Sequence, residues 1–152
     1  MDWQMQLIWA GRLALAAVLG AIIGYERERR GRSAGLRTFA AVSLGSCLFS
    51  IVSYVVVPGG NETTRIAAQI VTGVGFLGAG VILHGQNQGH ISGLTTSATL
   101  WAAAAVGMAV GYNLLILAVA ATLLLMLLLL LRLIPGLERH APDENSTHDP
   151  GD

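Results

Sequence analysis

Charge is what this sequence has least of. Asp, Glu, Lys and Arg make up 12% of its 152 residues, against about 25% in a typical soluble domain. None of the four occurs between Thr38 and Asn61, and none between Ile66 and Leu131. A chain with such long uncharged stretches cannot cover a water-facing surface, which excludes a soluble globular domain. Lysine is missing altogether, and nine arginines against nine acids give a formal net charge of zero. Without a basic excess, nucleic acid is not an expected partner. The single Cys47 rules out an internal disulfide, and no CxxC or Cys/His metal spacing occurs. It reads as a small buried hydrophobe. A cleavable signal peptide is not expected either. Asp2 stands where such peptides carry basic residues, and Arg12 interrupts the apolar run.

What is present is apolar length, with 53% hydrophobic residues. Five segments read as membrane helices, at about 7–24, 38–57, 66–83, 95–111 and 114–131. Pro58-Gly59-Gly60, Gly111-Tyr112-Asn113 and Pro135-Gly136 supply breaks between or after them. Eighteen helical residues rise about 27 Å, close to the ~30 Å hydrocarbon core of a bilayer. The expected fold is an all-α integral membrane bundle, with residues 1–137 as its transmembrane domain. The polar, acidic residues 138–152 read as a disordered tail. Arg27, Arg29, Arg30, Arg32 and Arg37 crowd the first loop, and short arginine-rich loops stay cytoplasmic. The expected topology is therefore N-terminus outside and C-terminus cytoplasmic.

The stretch TGVGFLGAG, residues 72–80, contains a literal G-x-G-x-x-G at Gly73, Gly75 and Gly78. As a dinucleotide-binding turn it would need a preceding strand and an acid about 20 residues on. No Asp or Glu occurs between Glu62 and Glu138, so helix packing is the better reading. In lipid, helices associate through close backbone approach and interhelical hydrogen bonds, both of which small residues permit. On a helical wheel Ala68, Thr72, Gly75 and Ala79 fall in one stripe, and Gln69, Gly73 and Gly80 form a face beside it. The third helix is therefore expected to be central, packed on two sides, with Ile70, Val74 and the other large residues turned toward lipid or a larger side chain. Gly20 and Gly24 give the first helix a G-x-x-x-G. Ala98, Ala102, Ala105 and Ala109 recur at helical spacing in the fourth. The leucine-rich fifth suits the periphery.

The polar candidates are few. Glu26 and Glu28 close the first helix and Arg37 opens the second. Glu62 and Arg65 flank the start of the third, with Gln69 one turn deeper. Thr95 and Thr96 open the fourth, where they read as N-caps or interhelical hydrogen bonders. His84 and His90 read as loop histidines. Glu26 and Glu62 are candidate cation ligands, because magnesium takes oxygen ligands, but the surrounding arginines oppose a divalent cation. A nucleophile–base pair and a metal cluster are missing, so no enzyme is expected, and the lack of an inverted repeat speaks against a pump.

The segments GYERERRGRSAGLRT, TRIAAQIVTGVGFLGAGVIL and GLTTSATLWAAAAVGMAVG together resemble the MgtC/SapB family of bacterial inner-membrane proteins. Three motifs in the right order cover about residues 20–111. At the position of Glu62 the family usually has Asp. Many members also carry a C-terminal ACT-like domain, for which this sequence has only a tail of about 15 residues. The resemblance implies a multi-pass inner-membrane protein linked to magnesium homeostasis, growth at low magnesium and, in pathogens, survival inside macrophages. It implies action by regulating membrane partners such as the F-type ATP synthase, the alternative being a transporter or channel for magnesium or another small cation. Magnesium is the one cofactor it brings in. Other inner-membrane proteins, the lipid bilayer and further copies of the chain are the expected partners.

Overall fold

The structure, a computed structural model, describes residues 2–56, 63–84 and 92–131. They form five helices: α1 Trp3–Arg29, α2 Leu36–Val56, α3 Thr63–His84, α4 Leu94–Gly111 and α5 Leu115–Leu130. The first four are long and apolar enough to cross a membrane, and α5 is a shorter apolar helix. The chain is an all-α membrane bundle. Glu62, His90 and residues 138–152 lie outside the described residues, as does the side chain of His84.

α1 is longer than its apolar run. Glu and Arg are good helix formers, so the helix continues through the ERER segment after apolarity ends. It stops at Gly31, whose φ of +63° is the left-handed conformation that glycine adopts without penalty. Gly31 N–H donates to Glu28 O and Arg32 N–H to Arg27 O, which closes a Schellman motif. The end of α4 repeats the device with Asn113, φ 65°, in the left-handed position. There Asn113 N–H donates to Val110 O and Leu114 N–H to Ala109 O.

The tight seam of the bundle joins α1, α2 and α4. A Cβ on Gly20 would sit 2.5 Å from Phe39 O, and one on Gly24 2.7 Å from Leu36 Cα. On α4, a Cβ on Gly107 would fall on Ser43 O, and one on Gly111 would lie 2.6 Å from Ser50 Cβ. Backbones this close gain dispersion and Cα–H···O contacts that larger residues would block. The α2 side of the seam is a column of buried serines, Ser43, Ser46, Ser50 and Ser53. The hydroxyls of Ser50 and Thr99 bond within their own helices, to Ser46 O at 2.8 Å and to Thr95 O at 2.6 Å, whereas Ser43 Oγ is buried without a hydrogen-bond partner among the described residues.

Two expectations are overturned here. The central helix is α4, half of whose span is buried, whereas 17% of α3 is. On α3 the faces are also reversed. Ile70 and Val74 are buried, while Gly73, Gly75, Ala79 and Gly80 are exposed. Only Gly78 among the α3 glycines meets a neighbour, Ser97, whose hydroxyl donates to Gly78 O at 2.7 Å. The physical reason is that α2 and α4 already meet backbone to backbone. α3 lies beside that pair and fills the remaining groove with branched side chains. The same seam decides which face of α4 is buried. Ala103, Ala104, Gly107, Val110 and Gly111 are buried, whereas Ala98 and Ala105 are exposed and Ala102 and Ala109 only half-buried. α5 is peripheral as expected, touching the bundle through buried Ala118 and Thr122 and exposing Leu123, Leu124, Leu127 and Leu128.

Candidate functional site: a buried charge cluster at the end of α1

α1 carries a buried stripe of Ala16, Gly20, Ile23 and Arg27 at helical spacing. Arg27 therefore continues an apolar face, and its side chain is taken into the bundle, 4% exposed. Its Nη2 donates to Thr96 Oγ1 across to α4 at 2.8 Å. Glu26 beside it is 8% exposed. Its carboxylate pairs with Arg30 one turn on, and more distantly with Arg27 at 3.9 Å. Both Glu26 oxygens are buried and balanced by charge without a directed hydrogen bond. Glu28 serves the other side, where its Oε2 accepts from the Leu36 N–H at 2.8 Å. A carboxylate of α1 thus caps the positive N-terminus of α2. Arg29 lies over the Tyr25 ring, 5.7 Å from its centroid.

The cluster brings Glu26 and Thr96 together through Arg27, turns Glu28 to α2 and leaves other candidates apart. Arg37 is exposed and is not the partner of Glu26. Thr95 is exposed and contributes its carbonyl to Thr99. Neither threonine caps α4, whose N-cap is Gly93, without a side-chain bond. Arg65 is exposed on α3 and Gln69 is exposed one turn further along. Gln69 lines a lateral groove of about 550 Å³ between α2 and α3, with Ser46, Phe49, Gly73, Val74 and Leu77.

Chemically, the cluster is a lock. Among the described residues the carboxylates are Asp2, Glu26 and Glu28. Glu26 is held by arginines and Glu28 is spent on a helix N-terminus. No group of three His, Cys, Asp or Glu side chains that could hold a metal ion occurs among the described residues. Five arginines against two glutamates leave this end of the bundle electropositive, which suits anionic headgroups and opposes a divalent cation.

Sequence reasoning missed the two arginines that lock helices together. Arg27 looked like one of a topogenic run, yet its spacing from Ala16, Gly20 and Ile23 marks it as the buried member. Arg12 looked like an interruption near the membrane edge. It is half-buried, and its Nη1 donates to Gly111 O at the end of α4, 3.4 Å away.

Comparison with known proteins places the chain. Residues 13–139 match the model of the MgtC family. The protein MgtC of Brucella abortus (strain 2308) is 46% identical, over 76% of this chain and 47% of its own length. YhiD of Escherichia coli (strain K12), named as a candidate magnesium transporter, is 48% identical over 71% of this chain and 53% of its own. An uncharacterised protein of Haemophilus influenzae is 44% identical over 74% of this chain and 50% of its own. The chain thus spans about half the length of these relatives. No solved structure is significantly similar. By the family match and these identities, the chain belongs to the MgtC family.

Proposed function

We propose that this chain is a regulatory protein of the bacterial inner membrane that serves magnesium homeostasis through helix contacts with other membrane proteins and with its own copies. It works without catalysis, and the arginine-rich end of α1 faces the cytoplasm. The observation that carries this reading is the open face of α3. A Cβ added at Gly73, Gly75 or Gly80 meets nothing within 4 Å, so these glycines do not serve the packing of this chain. Small residues on a lipid-exposed helix are what a neighbouring membrane helix needs for close approach. Gln69 on the same helix offers an amide for which lipid has no partner. The F-type ATP synthase is the partner class that the family resemblance suggests. The test is substitution of Gly75 or Ala79 by Leu in the full chain. Membrane insertion is expected to stay unchanged and thermal stability not to fall, while recovery of membrane partners in a pull-down drops. Normal recovery with either variant would overturn the reading.

The name of the Escherichia coli relative favours a second reading, transport of magnesium. The locked state of Glu26 and Glu28 argues against it. Flux of magnesium into proteoliposomes by the purified chain, above a protein-free control, would establish transport.

A further inference from the structure

Two hydrogen bonds fix the register of α1 on α4: Arg27 to Thr96 at one end and Arg12 to Gly111 at the other, fifteen residues apart on each helix. That is about 22 Å of helix, less than the ~30 Å hydrocarbon core. α1 itself is longer, its 27 residues rising about 40 Å, which matches the 40–45 Å of a bilayer with its headgroups. With the charged end of α1 at one surface and Trp3, an interfacial aromatic, at the other, Arg12 lies about 13 Å below the Trp3 end. A headgroup layer is roughly 5–7 Å thick, so Arg12 and the α4–α5 turn sit inside the hydrocarbon of the leaflet distant from the arginine-rich loop. The large apolar side chains around them agree. Leu7 and Ile8 beyond Arg12, and Leu114, Ile116 and Leu117 after the turn, are large, apolar and exposed.

Arg12 is thus a cation within the membrane. Among the described residues one of its five N–H donors is used, on Gly111 O, and the negative end of the α4 dipole supplies a fraction of a charge. No carboxylate reaches it among the described residues. Asp2 and Glu26 lie ten and fourteen residues away on its own helix, and α3 does not touch α1. A guanidinium in this state recruits an anion. Phosphate matches its fork of donors, and in a bilayer the abundant phosphate belongs to the lipid.

We propose that Arg12 and the α4–α5 turn form a notch in the distal leaflet that seats the phosphate of a phospholipid drawn below the normal headgroup plane. The experiment uses the full chain in a phosphate-free maltoside detergent, with thermal unfolding as readout. Added phosphatidylglycerol at about ten times its Kd is expected to raise the midpoint by roughly 3–6 °C. Diacylglycerol with the same chains, and inorganic phosphate, are expected to raise it far less. Arg12→Gln is expected to lose most of the phospholipid increment and Arg12→Lys to keep part of it. Equal stabilisation by diacylglycerol, or an undiminished increment in Arg12→Gln, would overturn the seat. Inorganic phosphate reproducing the whole increment would overturn the lipid as its source. Should Arg12→Gln fail to fold, the depth of the notch is read in the otherwise native chain. An Ile116→Cys variant, at an exposed site in the first turn of α5, carries one reactive thiol, because Cys47 is fully buried. A fluorophore attached there is expected to be quenched most by phospholipids brominated high on the acyl chain. Quenching by headgroup probes alone would place the turn at the water surface and overturn the notch.

Discussion

The seam of α1, α2 and α4 and the outer face of α3 contain the same residue in opposite circumstances. At Gly20, Gly24, Gly107 and Gly111 the place of a side chain is already filled by a neighbouring backbone or Cβ. At Gly73, Gly75 and Gly80 it is empty. Within a bilayer both patterns look alike on paper, because hydropathy barely distinguishes a glycine touching protein from one touching lipid. The difference teaches that a small-residue stripe declares only a capacity for close approach. Which neighbour uses that capacity depends on the other helices, and α3 keeps it unspent within this chain.

Substitutions at the two kinds of glycine separate these circumstances most sharply. Gly107→Leu should cost more than about 5 kcal/mol, beyond the ordinary range for one substitution, because the Ser43 carbonyl occupies the site. No folded protein is expected after detergent extraction, and a folded variant would break the contrast. Arg27→Leu tests whether the seam is also locked at its end. It leaves buried Glu26 with Arg30 alone, and loss of a buried partner costs about 3–5 kcal/mol, read as a lower midpoint in denaturant. Thr96→Val, which keeps the shape and removes one acceptor from Arg27, should cost about 1.5–3 kcal/mol, as for other hydrogen bonds to charged groups. Gly75→Ala is the smallest and has the opposite sign. With open space at the site, the better helix former should stabilise α3 by about 0.5–1 kcal/mol. A clear destabilisation in the monomeric, detergent-solubilised protein would mean that α3 is not open.

The five helices were legible in the sequence, four of them because a bilayer imposes length and apolarity on a crossing segment. All five helices fall within about five residues of their expected bounds. The peripheral place of α5 was legible for a related reason, since an all-leucine surface has nothing to offer a tightly packed neighbour. The arrangement was not. Periodicity placed Ile70 and Val74 opposite the α3 glycines but could not say which side would meet α4. On α4 the alanines at 98, 102, 105 and 109 hid Gly107 and Gly111, which stand two positions on from Ala105 and Ala109 and so on the opposite face of the helix. The charge cluster was half legible. Glu26, Glu28 and Thr96 stood out by type, whereas Arg27 was masked by four arginines around it. Its burial follows from phase along α1, which charge counting ignores.

The paired clamps of Arg12 on Gly111 and Arg27 on Thr96 make α1 and α4 measure one another. Fifteen residues are a little over four helical turns, so both arginines fall on the side of α1 that faces α4. One residue inserted between them would swing one arginine by about 100° into lipid, and a matching insertion in α4 would restore distance but not direction. The bundle therefore fixes a length in these two helices that side-chain chemistry alone would not require. Over evolutionary time this segment should accept substitutions far more readily than insertions or deletions.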